Sequence, residues 1–193
     1  MAASTWDGLE GLTVDPSNRD TIDLAGLHVA IAGSWDRRSV AVVGAFADDD
    51  VTNVVTLGAW EHQPHAVPVD EIVAAIHSLD IVPATISVGR ATQSTEVSER
   101  LEADGLFVVE VETTSAKPMQ TRTDLLLSRL TAGQLRHDNA EPLRRQMLGA
   151  RTQVRREGMV LARDDRTDQR IDAVVAAAVA IEAVSLSPVI GVY

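Results

Sequence analysis

His28-Val29-Ala30-Ile31-Ala32-Gly33-Ser34, Ser39-Val40-Ala41-Val42-Val43-Gly44-Ala45-Phe46 and Asn53-Val54-Val55-Thr56-Leu57-Gly58-Ala59-Trp60 follow one another early in the chain. Each run is short and rich in β-branched residues. The gaps between them are too brief for a crossover, so the three predict an antiparallel meander. The second gap carries Asp48-Asp49-Asp50, three successive acids that belong in a solvent-facing turn. Upstream, residues 1–26 hold Gly8, Pro16 and Asn18 without a sustained period, and read as an irregular lead-in.

Downstream the period changes. Val69–Leu79 sets Ile72, Val73, Ile76 and Leu79 at helical spacing behind Pro68. Ala84–Val88 is a brief apolar run, read as a buried parallel strand. Ser94–Ala103 reads as a helix opened by Ser94, with Glu96 and Glu99 in its early turns and Gly105 at its end. Leu106–Glu112 is the next strand. Thr121–Leu130 is helical along Leu125, Leu126 and Leu130 and is closed by Gly133. Glu141–Ala150 forms another helix, Thr152–Arg163 a hairpin turning at Glu157-Gly158, and His137 falls in a turn. The last helix runs from a cap at Asp168 to about Val184, its inner face formed by Ile171, Val175, Ala178, Val179 and Glu182. Residues 27–185 thus form one domain, with 186–193 a tail. Three strands in a meander followed by alternating helices and strands predict an α/β fold: a mixed sheet with helices on both faces.

Composition narrows the chemistry. A chain of 193 residues fits one domain with its own core. At 3% aromatic residues, that core must be built from Val, Ala, Leu and Ile. The absence of cysteine excludes a disulfide framework, a thiolate zinc site and a cysteine nucleophile. The first fifteen residues lack the apolar core of a secretory signal. The longest apolar run, Ala173 to Ile181, is too short to span a membrane, so a soluble protein without a membrane partner is expected. The net charge of −11 argues against a surface that grips nucleic acid everywhere. Between Arg136 and Arg170, however, lie nine of the 17 basic residues. Any DNA contact is therefore local, and Arg144, Arg145, Arg151, Arg155 and Arg156 are its candidates. Interspersed Glu141, Glu157, Asp164 and Asp165 leave a solvated, salt-bridged face as the other reading of those arginines. His62 and His65 form an H-x-x-H pair, but beside Pro64 a solvated loop is the simpler reading.

Several stretches carry a resemblance. Val29 through Val43 reads as a strand, a small-residue turn and a second strand opening with Ser39. Gly133-Gln134-Leu135-Arg136-His137-Asp138 is followed by Glu141-Pro142-Leu143. Gly158-Met159-Val160-Leu161 then precedes Arg170-Ile171-Asp172-Ala173-Val174-Val175-Ala176. Together with Trp6-Asp7, and in this order, these stretches resemble the C-terminal, RNase H-like nuclease domain of phage large terminases, over about residues 6 to 184. The resemblance implies an RNase H-like mixed sheet and an endodeoxyribonuclease that cuts with two Mg²⁺ or Mn²⁺ ions about 4 Å apart. Such ions need carboxylates at the end of the first strand, the end of the fourth and the start of the last helix. It also implies double-stranded DNA and packaging or virion proteins as partners, in a bacterial cytoplasm or a virion. No P-loop occurs in the sequence, so the ATPase half of such a protein lies outside this chain.

The acids depart from that pattern. Ala32 stands where the first-strand acid is expected and Gly89 where the fourth-strand acid is expected; Asp172 alone matches. A methyl group and a hydrogen cannot ligate Mg²⁺. Three explanations stay open: natural loss of the acids, deliberate replacement, or substitution by other acids. Asp36 and the group Asp164, Asp165 and Asp168 are the substitutes at hand, with Asp36 and Asp172 the candidate ligands. Asp172 also has a simpler role, as an acid favoured by the helix dipole. The expected function is a packaging-associated nuclease-like domain with lost or impaired hydrolysis, and no bound metal if the site is degenerate. The alternative is a non-enzymatic interaction module that binds a virion or packaging protein.

Overall fold

The computed structural model describes residues 26–61, 63–90, 93–155, 158–162 and 170–187. The first three strands are β1 (His28–Gly33), β2 (Val40–Asp48) and β3 (Val51–Trp60), each antiparallel to the next. They are followed by α1 (Val69–His77), β4 (Thr85–Gly89), α2 (Ser94–Ala103), β5 (Val108–Val111) and α3 (Ala116–Thr131). Then come β6 (Leu135–His137), α4 (Glu141–Gly149), the hairpin β7 (Arg151–Arg155) and β8 (Gly158–Ala162), and α5 (Asp172–Leu186). Six strands form one sheet in the order β5-β4-β1-β2-β3-β6; β7 and β8 pair separately. Strands β4, β5 and β6 join in parallel. This is the mixed α/β architecture the sequence predicts.

Alternation along β1 and β2 sorts the core into two layers. Val29, Ile31, Val40 and Val42 face α1 and α2, where Ile72, Val73, Ile76, Val97 and Leu101 close the layer. Ala30, Ala32, Ala41, Val43 and Ala45 face α5, with Leu126 and Leu130 of α3 and Leu143 and Met147 of α4 around it. Small side chains on the sheet meet the alanines of α5, which lets this helix lie close across β1 and β2. Helices α2 and α3 end as expected at Gly105 and Gly133, whose φ values of 80° and 67° suit glycine. Each supports the paired bonds of a Schellman motif: Leu106 N–H to Leu101 C=O and Gly105 N–H to Glu102 C=O, then Gln134 to Arg129 and Gly133 to Leu130.

Four expectations need correction. His137 is not a turn residue: it is buried in β6, a strand of three residues that docks beside Thr52–Val54 of β3. Helix α3 begins at Ala116, before Pro118, because proline is tolerated in the first turn, where its missing N–H has no partner to lose. Helix α5 begins at Asp172; Asp168 lies outside the described residues. The predicted stripe on α5 is also too narrow. Residues Asp172, Ala173, Val174 and Ala176 through Ile181 are all buried, whereas Ile171, Val175 and Glu182 are only partly so. A helix packed between a sheet and two other helices is apolar almost all round.

Candidate functional site

The parallel register sets Ile31 opposite Val88, so Ala32 and Gly89 follow side by side at the carboxyl ends of β1 and β4. The first turn of α5 closes over the same corner. Its start is fixed from α4: the Gln146 side-chain carbonyl accepts the Ala173 N–H at 2.8 Å. The Gln146 amide in turn donates to Glu61 at 2.5 Å, and Arg145 pairs with the same carboxylate. The structure thus brings three of the expected positions, Ala32, Gly89 and Asp172, to one corner.

What they offer differs. Ala32 is 3% exposed and presents a methyl group to the α5 layer. At Gly89 an added Cβ would meet Thr113 Cγ2 at 2.9 Å, Thr113 Oγ1 at 3.1 Å and the Ile31 carbonyl oxygen at 3.2 Å. Thr113 therefore fills the space into which a side chain at Gly89 would grow. Asp172 is 6% exposed, and the Ser39 hydroxyl donates to its Oδ2 at 2.5 Å.

Asp36 sits in the β1–β2 loop, with 46% of its side chain exposed. The Ser34 hydroxyl donates to its Oδ1 at 2.5 Å, and Arg170 Nη2 lies 3.2 Å from its Oδ2. The Ser34 hydroxyl, then the Arg38 backbone N–H and the Arg170 guanidinium, hold the Asp36 carboxyl below the usual carboxylate range against the opposing pull of desolvation. Ser34 also accepts the Ser39 N–H at 3.1 Å, and Ser39 C=O accepts the Ser34 N–H at 2.8 Å. The chain Arg170–Asp36–Ser34–Ser39–Asp172 therefore ties the β1–β2 loop to the entrance of α5. Among the described residues, no group of three or more His, Asp or Glu side chains is placed to hold a metal ion.

Other candidates are dispersed. Arg144 and Arg145 lie on α4 and Arg151 on β7; Arg145 is paired with Glu61. Arg155 ends β7. Arg156, His62, Asp164 and Asp165 lie outside the described residues, and His65 is exposed in a loop. Ser34, Ser39 and Thr113 carry no site signal in the sequence beyond the two serines' bracketing of the β1–β2 turn, and Arg170 stands out there only as one of the arginines of the basic segment. At the amino end of β1 an open cavity of about 270 Å³ is lined by His28, Thr85, Ser87, Val109, Val111, Val179, Glu182 and Ser187, among others. There His28 shares hydrogen bonds with Thr85 Oγ1 at 2.7 Å and Ser187 Oγ at 2.8 Å.

No protein-family model matches the chain, and no curated protein does. Solved structures do. The HK97 bacteriophage large terminase superposes on 95% of this chain with a TM-score of 0.77 at 19% identity. This chain spans 43% of the length of that protein. The large terminase nuclease from thermophilic phage G20c, with bound magnesium, covers 81% of this chain and 80% of its own, with a TM-score of 0.60 and 14% identity. The large terminase of another thermophilic bacteriophage, in complex with ATP-γ-S, covers 80% of this chain and 40% of its own, with a TM-score of 0.58 and 10% identity. A six-stranded mixed sheet with its last helix laid over the first two strands is the RNase H-like fold of large terminase nuclease domains.

Proposed function

We propose that this chain is a nuclease-like domain of a phage or prophage DNA-packaging terminase in which hydrolysis has been lost or impaired. The observation that carries the reading is the corner formed by β1, β4 and α5. A two-metal centre needs several carboxylates converging on one point. Here Ala32 supplies a methyl group and Thr113 fills the space beside Gly89. The Asp172 carboxylate accepts a serine hydroxyl, and Asp36 is engaged by Ser34 and Arg170. This donor set does not fit two Mg²⁺ or Mn²⁺ ions, and no hydrolytic step is assigned to it. Nicking of supercoiled plasmid in Mg²⁺ or Mn²⁺, run beside Asp172→Ala, tests the reading. Folded protein should leave the plasmid intact in both forms; cleavage that vanishes in the variant refutes it.

A second reading, a module that binds a packaging or virion protein, is favoured by the net charge of −11, because a protein partner imposes no need for a basic face. DNA held by the arginines of α4 and β7 would be bound with a steep salt dependence, and a protein partner would not.

A further inference from the structure

Arg170 is 7% exposed and lies two residues before Asp172. Burying a guanidinium is costly unless an anion pairs with it. That anion is Asp36, at 3.2 Å. Among the described residues Arg170 Nε, also buried, has no hydrogen-bond partner, so the pair with Asp36 is what holds the guanidinium here. Arg170 and Asp172 are the two ends of the chain of contacts that runs through Asp36, Ser34 and Ser39. That chain ties the β1–β2 loop to α5.

Resting on the reading of a site that has lost its acids, we infer that the Arg170 guanidinium is a built-in cation standing in for a divalent ion at this corner. It balances the carboxylate charge and holds the loop to the helix, so the corner assembles without metal. A fixed positive charge already in place also repels an incoming Mg²⁺ or Mn²⁺.

The test compares thermal unfolding of the full chain in EDTA and in millimolar Mn²⁺, with Mn²⁺ binding read by electron paramagnetic resonance. The wild type should bind no Mn²⁺ and keep one unfolding temperature in both conditions. Arg170→Gln should unfold several degrees lower in EDTA. It should then bind Mn²⁺ and recover about 2–4 °C with it, the scale of a modest stabilisation in a chain of this size. Adding Asp36→Asn should abolish that recovery. Arg170→Lys, which keeps the charge, should stay near the wild type and indifferent to Mn²⁺. If Arg170→Gln does not fold at all, Arg170→Lys decides: a folded, Mn²⁺-indifferent lysine variant supports the inference, and an unfolded one overturns it. Mn²⁺ binding by the wild type, or an Arg170→Gln variant as stable as wild type in EDTA, also overturns it. Wild-type binding without plasmid nicking would sink only this inference; nicking would sink the proposed function as well.

Discussion

The Ser39 hydroxyl donates to the Asp172 carboxylate at 2.5 Å across 133 residues of sequence, and both residues are buried. A carboxylate with so little water depends on its protein donors. Ser39→Ala should cost about 1–3 kcal/mol, the range for depriving a buried polar group of a partner. Asp172→Asn retains an acceptor and should cost less. Urea denaturation of both variants checks this; a Ser39→Ala change below about 0.5 kcal/mol, the scale of an ordinary surface substitution, would show the contact to be incidental.

Gly89→Ala should destabilise the domain by about 1–3 kcal/mol through overpacking. Thr113→Ala removes two of the three close atoms, so the double variant should regain most of that loss relative to Thr113→Ala alone. A Gly89→Ala penalty of equal size in both backgrounds would mean that Thr113 does not own the contested space.

Arg122 joins α3 to α5 through Glu182 at 2.6 Å, with 8% of its side chain exposed against 22% for Glu182. It also donates to the Glu112 carbonyl. Arg122→Met should cost about 2–3 kcal/mol, less than a fully buried pair because water reaches Glu182. Glu182→Gln, which leaves the guanidinium a neutral acceptor, should cost less. The order of the two unfolding midpoints is the readout.

Desolvation holds the His28 imidazole below its ordinary value of 6.5. The unfolded chain therefore binds this proton at a pH where the folded chain does not. Stability attributable to His28 is complete above about pH 6.5 and falls as pH drops through that value toward the folded one. His28→Gln should flatten the difference between melts at neutral and mildly acidic pH. An unchanged pH slope in the variant would assign the titration elsewhere.

Legibility in the sequence followed the range of the interaction. Strands β1 to β3, with clear alternation and short gaps, were readable, as were the helix ends at Gly105 and Gly133, which local backbone geometry dictates. Strand β6 was not: three residues display no period, and the strand exists because Thr52–Val54 offers it an edge. The start of α3 was obscured by Pro118. At the candidate site, resemblance pointed to Ala32, Gly89 and Asp172. It could not point to Thr113, or to Ser34, Ser39 and Arg170 as partners, because those contacts are set by how distant segments close on one another.

Helix α5 is the last of the described elements, yet it covers β1 and β2, the first two strands among them. Between Val40 and Asp172 a ribosome adds roughly 130 residues, on the order of 10 s of synthesis. Throughout that interval α5 is not yet there to cover the alanine-rich face of the sheet. The layer between the sheet and α5 therefore closes only once both ends of the described fold have been made.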